Sequence, residues 1–155
     1  MPSPVTGLFS AKAIVPDLQG ATRDEVLEEM VRAAVAAAVL PRTRKAQVLE
    51  ALLQREERGS TGMGRGVAVP HAKIAGLRAH AGVVARSQSG VDFRAVDGER
   101  VHVLVMLISP DARQAEHLAT LRWVSLMARD HDFCSFIRQA RSAEQIFDVL
   151  QERTG

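Results

Sequence analysis

The chain has one cysteine, Cys134, and no tyrosine among its 155 residues. A single thiol excludes an internal disulfide and any cysteine-rich zinc site. One tryptophan and five phenylalanines leave few of the flat platforms on which single-stranded nucleic acids stack. Charge of one sign is not in excess: 20 Lys and Arg stand against 18 Asp and Glu, interspersed along the chain. The densest basic stretch, Arg42, Arg44 and Lys45, reads as a solvated helix start, so no nucleic-acid partner is expected. Long apolar runs are missing too. Ala33 to Leu40 is the longest, well short of the ~20 residues that span a bilayer. The N-terminus lacks the basic start and apolar core of a secretory signal. A cytoplasmic protein with no membrane insertion is the expectation.

What is present is an ordinary globular composition, 46% hydrophobic and 25% charged,. A chain of this length folding as one domain buries ~70% of the surface its unfolded form exposes. There is no repeat and no dividing linker. Residues 1–8, with Pro2 and Pro4, read as a flexible tail, and residues 9–155 as the single domain.

Ala13 to Leu18 predicts a first strand. Thr22 and Glu25 form a capping box that starts a helix carrying Val26, Leu27, Met30, Val31, Ala34 and Val35 at helical spacing. Pro41 stops it. A second helix is expected from near Thr43, with Val48, Leu49, Leu52 and Leu53 inward, ending at Gly59. The stretch Gly59 to Gly66 reads as too rich in glycine for helix or strand, and Val67 to Pro70 as a strand end. Further strands are expected at His80 to Ser87 and, buried on both faces, at Val101 to Ile108. Helices then follow from near Gln114, over Phe133 to Ala140, and from a cap at Ser142 to about Glu152. This order predicts an α/β fold with a mixed central sheet flanked by helices.

The most informative segment runs from Arg55 through Gly59-Ser60-Thr61-Gly62-Met63-Gly64-Arg65-Gly66 to Val67-Ala68-Val69-Pro70-His71. Glycines with a Ser-Thr pair let backbone N–H groups and hydroxyls of Ser60, Thr61 and Gly62 converge on an anion. An upstream guanidinium, Arg55, can fork onto phosphate oxygens. His71 follows a proline of fixed φ, and neutral imidazole is a competent nucleophile near pH 7. Together these parts suit a phosphoryl acceptor. The loop is not a nucleotide P-loop, since Arg65-Gly66 stands where Lys-Ser or Lys-Thr is required. Alone, each part also has a plain reading. A histidine in a globular domain is more often structural than chemical, and Arg55 reads equally as a cation at a helix C-terminus.

This segment resembles the active-site signature of the fructose/mannitol/nitrogen-regulatory enzyme IIA domains of the phosphoenolpyruvate-dependent phosphotransferase system, and the similarity runs from about Phe9 to Gln151. The resemblance implies a phosphohistidine carrier in which an HPr-type phosphocarrier phosphorylates His71. It further implies that Arg55 stabilises the transferred group and that a second histidine, His117, lies beside the first. A downstream enzyme IIB or a regulatory target would receive the group or its consequence, with no cofactor and no metal. A helix beginning near Gln114 would set His117 in its first turn, where free N–H groups favour an anion. The family usually has glycine after the histidine; here it is Ala72, which resists positive φ. The lack of a fused permease favours the nitrogen-type regulatory branch over a sugar-specific component. The competing readings are a non-transferring interaction module and a small-anion or nucleotide sensor. His80, His102 and His131 show no supporting neighbours in the sequence and receive no role.

Overall fold

The computed structural model describes Val5 and residues 7–154. Among these, six strands and five α-helices follow in the order β1 (Phe9–Val15), α1 (Arg23–Ala36), α2 (Lys45–Glu57), β2 (Gly62–Gly64), β3 (Val67–Ala68), β4 (His71–Ile74), β5 (Ala81–Val91), β6 (Val101–Pro110), α3 (Gln114–Arg129), α4 (His131–Gln139) and α5 (Ala143–Thr154). A single 3₁₀ turn, Arg42–Arg44, leads into α2.

The strands form one mixed sheet in the order β1-β5-β6-β3-β2, with β4 also on β6. β1 lies parallel to β5, β5 antiparallel to β6, and β3 and β4 both parallel to β6. Alternation along β6 builds two cores. Leu104, Met106 and Ile108 face α1 and α2, where Val26, Leu27, Met30, Val48 and Leu52 are buried. Val103 and Val105 face the opposite layer, with Val124 of α3, Phe133 and Ile137 of α4, and Ile146 and Leu150 of α5. Successive side chains of a strand point to opposite faces, so a strand inside such a sandwich is apolar throughout. α1 starts at the capping box read from the sequence, with Glu25 N–H donating to Thr22 Oγ1 and Thr22 N–H to Glu25 Oε1.

Three expectations shift. The first strand occupies Phe9–Val15 rather than Ala13 to Leu18. Pro16 lacks the N–H a strand interior needs, and the strand begins earlier, on the half-exposed Ser10 and exposed Ala11 and Lys12 that an apolar-run criterion passes over. The glycine-rich stretch is not irregular: β2 pairs antiparallel with β3 through the two-residue turn Arg65-Gly66. Both turn residues have positive φ, 58° and 82°, as a hairpin turn matched to strand twist requires. The Asp97 carboxylate accepts the Arg65 N–H at 3.0 Å and holds that turn. β4, which the sequence reading lacked, starts at His71 itself. Most of the expected tail lies outside the described residues; Val5, within it, is fully buried in the second core.

Candidate functional site

His71 opens β4, level with Leu107 of β6. The Leu107 N–H donates to the carbonyl of Pro70 at 3.0 Å, which fixes the backbone just before the histidine. The His71 Nδ1 sits 2.8 Å from the carbonyl oxygen of Val69. A carbonyl only accepts, so Nδ1 carries the hydrogen and, in the neutral ring, Nε2 carries the lone pair. Burial lowers the proton affinity of His71 below the ordinary 6.5; the Val69 carbonyl opposes this, and the charges of Arg55 and Arg58 add to it. The ring is therefore neutral at pH 7, with one nucleophilic nitrogen.

His117, on α3, is 97% buried, with 3% of its surface exposed. Its ring centroid lies 5.9 Å from that of His71, with the planes tilted by 41°. Burial, then the charges of His71, Lys73 and His80, lower its pKa to about 4. The expected free N–H is absent: α3 has its N-cap at Arg113, and the His117 N–H donates to the Arg113 carbonyl at 2.9 Å. His117 thus stands just past the orphan donors of the helix end, and its contribution is its ring rather than the helix terminus.

Arg55 projects from the last turn of α2, and its Nη1 donates to the Gly59 carbonyl at 2.8 Å. That bond aims the guanidinium and leaves its other donors available. Two clefts meet at this point. One, of about 660 Å³, is lined by Arg55, Arg58, His71, Lys73 and His117 among others. The other, of about 340 Å³, is lined by Ser60, Thr61, Gly62 and Arg129, and shares Arg55, His71 and Leu121 with the first. The structure thereby brings His71, His117 and Arg55 together at one cleft.

The loop residues behave differently. The Thr61 hydroxyl and the Thr61 N–H both donate to the buried carboxylate of Glu56, the latter at 2.9 Å. The Ser60 hydroxyl donates to the Phe93 carbonyl at 3.1 Å and accepts the Gly62 N–H at 3.0 Å. Ser60, Thr61 and Gly62 line the second cleft, but these donors are turned into the loop and give it its shape. Arg55, Arg58 and Lys73 supply the cationic donors at the first cleft. Ala72 is a buried β4 residue outside the positive-φ set, so glycine's conformational freedom is not needed there.

Three further groups at the site escaped the sequence reading: Arg58, Ser109 and His80. The β5–β6 pairing sets Ala81 opposite Ile108, and one residue further on it brings His80 beside Ser109. His80 Nδ1 lies 2.9 Å from Ser109 Oγ, which lies 2.7 Å from His117 Nδ1. The separation of 29 positions between His80 and Ser109 leaves no local signal; only the strand register would have revealed the pair.

Residues 7–153 match the family model described as phosphoenolpyruvate-dependent sugar phosphotransferase system, EIIA 2. A nitrogen regulatory protein of Bradyrhizobium diazoefficiens is 36% identical over 147 residues, 95% of this chain and 94% of its own. The fructose-specific EIIABC component of Bacillus subtilis is 30% identical over 96% of this chain but only 23% of its own length. Among solved structures, the nitrogen regulatory protein IIA-Ntr of Neisseria meningitidis superposes with a TM-score of 0.82 at 29% identity, covering 96% of this chain and 99% of its own. Matched over nearly its whole length in sequence and in fold, the chain belongs to the enzyme IIA family of the phosphoenolpyruvate-dependent phosphotransferase system.

Proposed function

We propose that this chain carries a phosphoryl group on Nε2 of His71, received from an HPr-type phosphocarrier in the cytoplasm, and that it serves the nitrogen-type regulatory branch. The observation that carries this reading is the Nδ1–H bond to the Val69 carbonyl. It leaves Nε2 as the one lone pair, in a cleft lined by Arg55, Arg58, Lys73 and His117.

In the transfer, the Nε2 lone pair attacks the phosphorus of the donor's phosphohistidine. The N–P bond of the donor breaks, and its electron pair returns to the donor imidazole. The His71 hydrogen stays on Nδ1, still donated to the Val69 carbonyl, so the ring becomes cationic as the phosphoryl arrives. Charge spreads over the equatorial oxygens during the transfer, and preplaced cations there act where charge develops. Arg55 and His117, which line the same cleft, hold those oxygens. Ser60, Thr61 and Gly62 keep the loop that bounds the second cleft in shape.

The rim suits a protein donor. Leu118, 57% exposed, lines the first cleft and Val96, 76% exposed, lines the second. Exposed apolar side chains beside a charged centre fit docking by a partner surface. The regulatory branch is favoured by near full-length likeness to nitrogen regulatory proteins of Bradyrhizobium diazoefficiens and, at 34% identity over 86% of each chain, Pseudomonas aeruginosa. The likeness to a fructose-specific component favours a second reading, transfer onward to an enzyme IIB that serves sugar uptake.

The test is incubation with phosphoenolpyruvate, enzyme I and the phosphocarrier. An acid-labile adduct is expected on the wild-type chain and none on His71→Ala; an undiminished adduct in that variant removes the assignment. Passage of the label to a purified enzyme IIB separates the transport reading from the regulatory one.

A further inference from the structure

His117 is one link in a chain of hydrogen-bonding groups that leads away from the cleft. Beyond Ser109, His80 Nε2 lies 3.3 Å from the carboxylate of Glu116. The roles along this chain are constrained. The Glu116 carboxylate only accepts, so His80 Nε2 carries a hydrogen. With His80 neutral, its Nδ1 is bare and takes the single hydrogen of Ser109. The Ser109 oxygen must then accept from His117 Nδ1–H, and His117 Nε2 is left bare. A bare nitrogen is the wrong group to present to phosphoryl oxygens, which require a donor.

A proton can correct this in two places. Placed on His117 and left there, it charges a ring with 3% of its surface exposed, flanked by His71 and Lys73. Those neighbours and burial already hold its pKa near 4. Passed along the chain, it comes to rest on His80, whose side chain is 17% exposed and lies against the Glu116 carboxylate. The charged and titratable groups around the pair are Lys73 and His71 on β4, Asp111 after β6, and Arg113 and Glu116 on α3. Of these, Arg113 approaches the same Glu116 oxygen at 3.9 Å and shares it with His80. A cation is better placed at the carboxylate end than between His71 and Lys73.

We propose that Ser109 and His80 are positioning residues that let His117 donate to the phosphoryl group while staying neutral. The step balances in protons. One proton is taken up from the buffered solvent onto His117 Nε2, the Nδ1 proton passes to Ser109 Oγ, and the Ser109 hydrogen passes to His80 Nδ1. His117 ends as its neutral Nε2–H tautomer and His80 as a cation beside Glu116. This inference rests on the carrier reading, and it makes phosphorylation take up one proton that the phosphoryl transfer itself does not need. By linkage, that uptake makes the extent of phosphorylation fall as pH rises.

The experiment is ¹⁵N histidine NMR on the free and phosphorylated wild-type chain. It is joined to phosphorylation equilibria from pH 6 to 8.5 for wild type, His80→Gln and Ser109→Ala, all with one donor so that the donor's own titration cancels. In the free protein His117 is expected to hold its hydrogen on Nδ1; after phosphorylation it holds it on Nε2 and His80 is doubly protonated. Both variants are expected to lose roughly tenfold in phosphorylation equilibrium at pH 7, the scale of one hydrogen bond to a charged group, with a flattened pH profile. His80 remaining neutral in the phosphorylated wild type overturns the relay, as do folded variants with the wild-type pH profile. A wild-type chain that takes no phosphoryl from the donor overturns the carrier reading instead, so the two failures are distinct.

Discussion

Glu56 is the anchor of the loop that bounds the site, and its removal is the most informative perturbation away from the histidines. It lies 3% exposed at the end of α2, next to Arg55, and its carboxylate accepts both the N–H and the hydroxyl of Thr61. Glu56→Ala leaves two donors of a residue that is only 7% exposed without a partner. Hydrogen bonds to a charged group contribute about 1.5–3 kcal/mol each, and the loop recovers part of that by relaxing toward the cleft. The expected loss is about 3 kcal/mol. For a domain of this size that lowers the melting midpoint by roughly 6–12 °C. Glu56→Gln keeps one carbonyl oxygen for the N–H, and its amide can donate to the Thr61 oxygen, so it is expected to lose only about 1 kcal/mol. Urea unfolding with an unchanged m-value reads these differences. Phosphoryl acceptance is expected to fall in the alanine variant, because the Gly59 carbonyl that aims Arg55 moves with the loop. Equal losses for the two variants, or an alanine variant within about 0.5 kcal/mol of wild type, would refute the anchoring role.

Arg55→Lys keeps the charge but loses the planar fork, and is expected to slow phosphoryl transfer by roughly 10–100-fold with little change in the urea midpoint. Stopped labelling with the purified donor measures the rate. His117 has a folded pKa near 4 against 6.5 for the ordinary group, so the unfolded chain binds more protons between those values. Its contribution makes stability rise with pH across pH 4 to 6.5, and His117→Asn is expected to flatten that part of a pH series of unfolding curves. Arg86 is buried, and its guanidinium donates to the carbonyls of Pro16, Ile137 and Ala140, closing the C-terminal end of α4. Arg86→Met removes these donors, leaving the Ile137 carbonyl only the Ala140 N–H at 3.4 Å, and is expected to destabilise by about 3 kcal/mol, read by thermal unfolding.

The parts of this molecule that were legible in the sequence are those governed by local rules. The Thr22–Glu25 capping box, the apolar run of β6 and the spacing of the helices declare themselves within a few residues. So does the pairing of Pro70 with His71. What was not legible depends on register or on where a donor turns. Thr61 reads as a phosphate ligand because a threonine in a glycine-rich loop has a free hydroxyl until the fold supplies Glu56. Val67-Ala68-Val69-Pro70 reads as a strand end because proline interrupts the ladder, yet β6 is long enough to pair with β3 before the interruption and with β4 after it. His80 and Ser109 become neighbours only through the antiparallel pairing of β5 with β6.

The internal commitment of the loop donors bears on what a carrier must do. An acceptor that released its phosphoryl group only slowly would be a sink, so the site must hold the group without burying it among fixed partners. A ring of backbone N–H groups and hydroxyls already converged on the oxygens would stabilise the phosphorylated state as strongly as the transition state, which does nothing for transfer in either direction. Here Ser60, Thr61 and Gly62 are turned toward Phe93, Glu56 and one another. On the carrier reading the oxygens fall to cations on longer side chains, and among the described residues Arg55 is tied to the Gly59 carbonyl by one of its nitrogens. Two open clefts converge on His71, which leaves room for a partner surface to approach the same phosphorus from outside. Burial and the neighbouring cations make His71 a weaker base than an exposed histidine. The same lowering keeps it unprotonated and ready to attack, and it makes the imidazole a better leaving group when the phosphoryl moves on.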